Sequence, residues 1–259
     1  MTTTATLRAV GAEWARFRTV RSTWWCLVGT GVLMGMAALT FGADRATGRG
    51  GTFAATAPVV DGAVLFQVGI VALAMLPVTA EYASGGVRAS VQAVPRRGRF
   101  LLAQAVVVAS SAAVATVLGG LVTAVVVREF LRLEPFGGPA GLPLGPVVAD
   151  LLRLGCFAAL VALLTVGVAV AVRHAAGTLA LLFALLFALP LLLASTGSAP
   201  LVELALRLPT GAGLAFLGST GTPVGPLLDY PPLEGLAWLA GWTAAALGLG
   251  AAVFHGRDL

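Results

Sequence analysis

The 259-residue sequence contains no lysine and little charge, since only 10% of its residues are Asp, Glu, Lys or Arg. A phosphate-binding P-loop ends in Gly-Lys-Ser/Thr and places its lysine on the nucleotide phosphates. The chain therefore cannot form a P-loop, and Schiff-base chemistry on a lysine is excluded as well. Its sixteen arginines and eleven acids leave a net charge of +5. The arginines are scattered between apolar runs and form no stripe that would indicate nucleic-acid binding.

Histidine and cysteine are equally scarce. The two histidines, His174 and His255, lie near the ends of different apolar runs, and the two cysteines, Cys26 and Cys156, lie inside such runs. These four residues make no zinc-ligand spacing and no disulfide framework. A Gly-x-Ser-x-Gly elbow and a His-Glu-x-x-His pair are also absent. We therefore expect no enzyme activity, no metal and no cofactor on this chain.

The chain is instead rich in apolar residues, which make up 58% of it. A soluble domain has about 25% charged residues, more than twice the fraction found here. Apolar runs of about 17–25 residues cross a bilayer as helices, and the runs lack the alternation of membrane β-strands. The sequence predicts an all-α polytopic membrane protein with six transmembrane helices, at 24–41, 63–80, 100–127, 151–172, 177–195 and 236–254. The third run is long enough to tilt or to continue beyond the membrane, and Pro190 predicts a kink in the fifth.

The arginines also predict the orientation. The amino terminus, the second and fourth loops and the carboxyl tail together hold ten of the sixteen arginines and three acids, whereas the other three loops, counted with Arg153 at the start of the fourth span, hold six arginines and eight acids. Arginine marks cytoplasmic loops. We therefore expect a multi-pass protein of the plasma membrane with both termini cytoplasmic and an uncleaved first span. The predicted units are 1–23, 24–254 and a tail, 255–259.

Two polar segments have the periodicity of amphipathic helices. In the first, Leu7, Val10, Trp14 and Phe17 recur at helical spacing, which predicts an interfacial helix along the inner leaflet. The second follows the second span, where apolar residues repeat at Ala83, Val87, Val91 and Val94 before Pro95. A short helix on the cytoplasmic side suits contact with another protein. The alternative for each segment is a basic stretch that only sets the topology.

The long fifth loop, from about Thr196 to Gly235, holds six prolines. Within it, Leu201–Leu208 is apolar apart from Glu203 and Arg207, whose spacing of four stabilises a helix. Eight residues cannot cross a bilayer. We therefore expect short extracytoplasmic helices before the sixth span, lying in or dipping into the outer interface.

Polar residues inside the predicted spans are candidates for a translocation path, above all Gln67, Gln104 and Ser111. Intramembrane polar side chains mark substrate and ion paths in many membrane proteins. Glutamine and serine also join helices through hydrogen bonds. The sequence leaves both interpretations open.

Two motifs carry a resemblance to a known family. The first is the basic start Glu13-Trp-Ala-Arg-Phe-Arg-Thr-Val-Arg-Ser-Thr-Trp24, and the second is Glu81-x₃-Gly85-x₂-Arg88 with Pro-Arg-Arg downstream. Together with six spans, they resemble the permease subunit of ABC-2 type exporters. The resemblance is sharp only at 13–24 and 81–99.

The resemblance implies that the segment between the second and third spans is a coupling helix that docks on a separate ATPase. The matching residues here are Glu81, Ser84, Gly85, Val87, Arg88 and Val91. ATP and Mg²⁺ would be bound by that ATPase, and a second permease chain, identical or different, would complete the exporter. All-arginine usage indicates a bacterial source. The alternative is a non-transport membrane protein, either an anchoring component or a lipid-modifying enzyme.

The orientation is testable with single cysteines in a background where Cys26 and Cys156 are alanine. Thr52→Cys should react with an impermeant thiol reagent on intact cells, and Ser90→Cys should react only after permeabilisation, because the two loops are predicted on opposite sides. Labelling of Ser90→Cys from outside would reverse the assignment.

Overall fold

The computed structural model describes residues 11, 14–15, 18–48, 51–83, 97–133, 136–220 and 230–256. In this part of the chain, six helices are long and apolar enough to cross a membrane, which confirms the predicted all-α polytopic membrane architecture. The helices in chain order are α1 (Arg21–Gly48), α2 (Ala57–Asp61), α3 (Ala63–Ala83), α4 (Arg97–Leu131), α5 (Leu144–Val172), α6 (Ala175–Phe183), α7 (Leu189–Ser195), α8 (Ala199–Arg207), α9 (Pro209–Leu217) and α10 (Pro232–Gly256).

The six spans are α1, α3, α4, α5, α6–α7 and α10, and they are called the first to sixth spans below. The third span has 35 residues, well beyond the roughly 20 that cross a bilayer. The fifth span contains a π-helical turn, Ala184–Ala188, directly before Pro190. The predicted irregularity at this proline is thus present as a wide turn.

Contacts between the helix ends define two ends of the bundle. At one, Arg45 of the first span binds Asp61, next to the start of the second. At the other, Arg173 after the fourth span lies over the ring of Tyr82 and donates to the carbonyl of Val253 in the sixth span. These are called the Arg45 end and the Arg173 end. The successive spans therefore run in alternating directions.

The second and fourth spans form the centre of the bundle. About two thirds of the most apolar stretch of each is buried, compared with one third or less in the other four spans. The outer spans expose large apolar side chains, such as Leu118, Val122, Leu192 and Leu249. An outer surface of this kind suits a hydrocarbon solvent and not water.

The connections at the Arg45 end fold back onto the bundle. β1 (Phe53–Ala54) pairs in parallel with β2 (Ala140–Gly141), which ties the first loop to the third. After the fifth span, α8 and α9 follow at an angle of 74° to each other. Every residue of α9 is buried. This helix therefore enters the bundle, whereas the sequence predicted short helices that lie in or dip into the outer interface.

The fourth and sixth spans approach each other through glycines. A Cβ placed on Gly167 would lie 2.5 Å from the carbonyl carbon of Ala246, and one on Gly250 would lie 2.6 Å from the carbonyl oxygen of Gly167. No flexible side chain is available to move aside, because the neighbouring atoms are backbone. The two glycines therefore allow the close backbone contact that joins these spans.

We expect Gly167→Ala to destabilise the fold by at least about 1–3 kcal/mol, because it overpacks a backbone contact. Gly241→Ala is the matched control, since a Cβ on Gly241 meets no atom within 4 Å. Unfolding of the two purified variants in the same detergent measures the difference. Equal stability of the two would show that the close helix contact does not exist.

Candidate functional site

Polar side chains are buried at three levels along the second span. Asp61 lies two residues before the span, Gln67 lies in its first half and Glu81 lies near its end. The exposed fractions of these three residues are 2%, 0% and 1%, respectively. Gln67 and Glu81 are fourteen residues apart, which is about 21 Å along a helix. One central helix thus carries buried polar groups from near the Arg45 end to the Arg173 end.

At the Arg45 end, Asp61 is the centre of a cluster that joins three segments. Arg45 of the first span donates to its Oδ2 at 2.7 Å. The hydroxyl of Ser219 and the backbone N–H of Thr220 donate to its Oδ1 at 3.0 and 2.9 Å. Arg45 also donates to the Thr220 hydroxyl at 2.7 Å. The buried carboxylate is therefore matched by a cation and by neutral donors, as a buried ion pair requires.

The geometry of the end of α9 brings Ser219 and Thr220 to this carboxylate. Gly218 adopts a left-handed conformation with φ 70°. The N–H of Ser219 bonds to the carbonyl of Leu214, and that of Gly218 to the carbonyl of Ala215, which is a Schellman cap. The chain turns sharply at Gly218, and Ser219 and Thr220 therefore reach Asp61.

In the interior, Gln67 joins the second span to α9 and to the fifth span. Pro190 has no N–H, so the carbonyl of Leu186, four residues earlier, loses its usual helical donor. The hydroxyl of Thr210 in α9 donates to this carbonyl at 2.7 Å. Gln67 Nε2 in turn donates to the Thr210 oxygen at 3.1 Å. The proline in the fifth span therefore creates an acceptor that the re-entrant helix satisfies.

This chain of bonds fixes the orientation of the Gln67 amide. The carbonyl of Leu186 can only accept, so Thr210 must donate its single proton there, and the amide must face Thr210 with its NH₂ group. Gln67 Oε1 then points away from Thr210 and has no hydrogen-bond partner among the described residues. An unsatisfied buried acceptor costs about 1–3 kcal/mol. The junction thus leaves one buried acceptor that an additional donor could satisfy.

A cavity of about 180 Å³ lies between the second span, the fifth span and the α8–α9 pair. Its walls are almost wholly apolar and include Val64, Phe187, Pro190 and Leu214, with Thr210 as the polar member. Space beside a partly satisfied hydrogen-bond junction is what a helix needs in order to shift. The cavity leaves unfilled space next to α9, on the side that faces the second and fifth spans.

At the Arg173 end, the second span is bonded to the third. Gln104 Nε2 donates to Glu81 Oε2 at 3.3 Å, and both side chains are buried. The next residue, Tyr82, lies under the guanidinium of Arg173, 5.6 Å from the ring centroid. Arg173 itself is left-handed, with φ 61°. The last turn of the second span is thereby held by the third, fourth and sixth spans.

The bend between α8 and α9 is held by one residue before the sixth span and by one residue within it. Tyr230 donates to the carbonyl of Leu206 at 2.8 Å, and Trp242 Nε1 donates to that of Arg207 at 3.0 Å. Burial, with the nearby Glu234 carboxylate, raises the pKa of Tyr230 to about 12. The hydroxyl therefore keeps its proton, and this tether persists, throughout the physiological pH range.

The structure places the three candidate path residues in different hydrogen-bond environments. Among the candidate path residues, Gln67 bonds to Thr210, Gln104 bonds to Glu81, and Ser111 donates to the carbonyl of Val107 in its own helix at 2.6 Å. Each thus has a different hydrogen-bond partner. Of the candidate docking residues, Glu81 is described, and Ser84, Gly85, Val87, Arg88 and Val91 lie outside the described residues, as does most of the segment 1–23.

Sequence reasoning missed Asp61, Arg45 and Thr210. Asp61 stands two residues before a predicted span and reads as a loop acid. The available signal for the junction was Pro190, because a proline in a span frees a carbonyl that another group must satisfy. His174, which the sequence places near the end of an apolar run, caps α6 by accepting from the N–H of Gly177 at 3.1 Å.

No protein-family model matches this sequence, and no curated protein matches it either.

We expect Thr210→Val to destabilise the protein by about 1–3 kcal/mol, because it leaves the Leu186 carbonyl without its donor in an apolar interior. Thr210→Ser keeps the hydroxyl, so its free energy of unfolding should stay close to that of the parent protein. Unfolding of both variants in the same detergent measures this. If valine and serine behave alike, the hydroxyl does not support the fifth span.

Proposed function

We propose that this chain is the transmembrane permease subunit of an ATP-binding cassette exporter, which moves a substrate across the plasma membrane with energy from a separate ATPase. The sequence motifs at 13–24 and 81–99 resemble those of ABC-2 type permeases. The six-span helical architecture and a bent helix pair before the last span are compatible with that assignment. The arginine distribution favours the Arg173 end as the cytoplasmic end.

The observation that carries the proposal is the position of the second span. At the Arg173 end it leads directly into the segment proposed to dock on the ATPase. Toward the Arg45 end, Gln67 of this span bonds to Thr210 in α9. Asp61, which lies just before the span, bonds to Ser219, which follows α9. The second span therefore connects the proposed docking segment with the re-entrant helix α9, which lies about 20 Å or more away along this span.

This arrangement supports a simple coupling scheme. ATP-driven movement of the docking segment would displace the end of the second span, together with the third span to which Glu81 is bonded. The displacement would reach Gln67 and loosen its bond to Thr210, so that α9 could shift into the adjoining cavity. Coupling of this kind needs a rigid element with two arrangements at its far end.

The proposal includes two protein partners. The ATPase would bind ATP and Mg²⁺, since this chain has no P-loop. A second permease chain would pair with this one, and membrane lipids would surround the pair. The substrate would pass at the interface of the two permease chains.

The docking segment provides the test. Val91→Asp should insert and fold normally, because the residue lies between the spans, but it should abolish both copurification of the ATPase and transport. An unpaired charge in a desolvated interface costs on the order of several kcal/mol. Charge reversal at Arg257→Glu in the tail is the control and should change neither.

Affinity purification of the tagged chain from its native host measures the bound ATPase. If the parent chain brings down no ATPase under conditions where it remains folded, the exporter assignment is wrong and an anchoring or other non-transport role replaces it. If Val91→Asp binds the ATPase as the parent does, and changes in residues 7–21 abolish binding, the docking site lies in the amino-terminal segment.

A further inference from the structure

The first and third spans do not close against each other along one half of the bundle. Two adjoining cavities lie between them, of about 270 and 220 Å³, and both are lined by Leu27 and Ala115. The first cavity lies nearer the Arg173 end, and the second continues inward over Ile70 and Leu73 of the second span. Together they form one groove, called the first–third groove below.

The walls of the groove are mainly apolar, and two of its four small hydroxyls are bonded within their own helices. Thr30 donates to the carbonyl of Cys26, and Ser111 donates to that of Val107, each at 2.6 Å. The other two hydroxyls that line the groove belong to Thr23 and Thr116, and every remaining lining side chain apart from Arg18 at the mouth is apolar or aromatic. The interior of the groove therefore suits a hydrocarbon chain.

The mouth of the groove has a different character. Arg18 and the indole rings of Trp14 and Trp24 line it, and Trp24 Nε1 donates to the carbonyl of Arg18 at 3.1 Å. The described residues that line the groove include no acid. Arginine and tryptophan together are typical of the level of the lipid headgroups. The mouth thus matches an anionic group at the membrane surface.

The length of the groove identifies the occupant more closely. Its lining residues on the first span run from Thr23 to Met34, eleven residues or about 16 Å along the helix. The hydrocarbon core of a bilayer is about 30 Å thick, so one leaflet is about 15 Å. Met34, which is 1% exposed, lies at the inner end. The groove is therefore one acyl chain deep.

From these observations we propose that the first–third groove is a binding site for an anionic phospholipid, with one acyl chain between the first and third spans and the phosphate at Arg18. The site is independent of the proposed export function, because it uses neither the docking segment nor the α9 junction. It would fix the start of the first span relative to the third in one leaflet.

The test uses phospholipids with brominated acyl chains, which quench tryptophan on contact. A variant that keeps only Trp24, with Trp14, Trp25, Trp238 and Trp242 changed to Phe, is reconstituted in phosphatidylcholine vesicles with increasing brominated phosphatidylglycerol or brominated phosphatidylcholine. We expect brominated phosphatidylglycerol to give the same quenching of Trp24 at a mole fraction about fivefold lower than brominated phosphatidylcholine. This is the preference for an anionic lipid that one arginine near a membrane surface gives. Equal quenching by the two lipids would refute the proposal.

Two further variants separate the groove from the general surface charge. Arg18→Gln should remove the preference for phosphatidylglycerol, and so should Ala115→Phe, because its ring fills the groove where the two cavities meet. Val122→Phe, on the exposed face of the same span, should leave the preference unchanged. If Ala115→Phe retained the full preference, Arg18 would act only through the membrane surface and the groove would not be the site.

For a measurement without tryptophan replacements, native mass spectrometry of the unmodified chain in mixed micelles should show at least one retained phosphatidylglycerol that Arg18→Gln loses. Retention of the same lipid number by both would contradict the site.

Discussion

The arrangement of this protein depends on one constraint, which is that a polar group inside an apolar bundle must find its partner within the protein. Pro190 frees the carbonyl of Leu186, and the carboxylate of Asp61 is buried near the Arg45 end. Both groups are satisfied by α9 or by the residues directly after it. A nine-residue helix that could not cross a membrane by itself is thereby drawn into the bundle, and its position is set by hydrogen bonds as much as by packing.

The same constraint explains why the second span has a special place. It is one of the two central helices, and it carries Gln67 and Glu81, with Asp61 beside its start. These groups form hydrogen bonds with the first and third spans and with α9, and Thr210 of α9 extends the contact to the fifth span. A displacement of this helix would therefore be felt at both ends of the bundle. This is the physical basis on which a role in energy coupling is proposed here.

The number of spans could be predicted from the sequence because hydropathy is a local property that needs no knowledge of neighbours. The partners of each span could not be predicted in this way. The first span contains Gly31-x-x-x-Gly35, a motif that permits close helix packing, yet a Cβ on either glycine would meet no atom within 4 Å. The close contact is made instead by Gly167 and Gly250, which are 83 positions apart in the sequence. Small residues permit a contact, but the tertiary fold decides which ones make it.

The same reason explains why the re-entrant helix was missed. The residues Pro209–Leu217 are too few to span a bilayer and have no helical face of their own, so nothing local distinguishes them from an interfacial segment. Their position depends on Gly211 at the bend and on Gly235 of the sixth span, where a Cβ would lie 2.5 Å and 2.6 Å from backbone oxygens of Leu206 and Ala212. Such long-range complementarity is visible only in three dimensions.

The central claim is that events at the Arg173 end reach α9 through the second span. Pulsed electron paramagnetic resonance between spin labels at Leu204 on α8 and Leu144 on the fourth span, both exposed positions, would measure this with Cys26 and Cys156 changed to alanine. The account predicts that trapping nucleotide on the copurified ATPase shifts the distance distribution, and that Gln67→Leu reduces the shift. An identical distribution in both nucleotide states, or a full shift in Gln67→Leu, would contradict it.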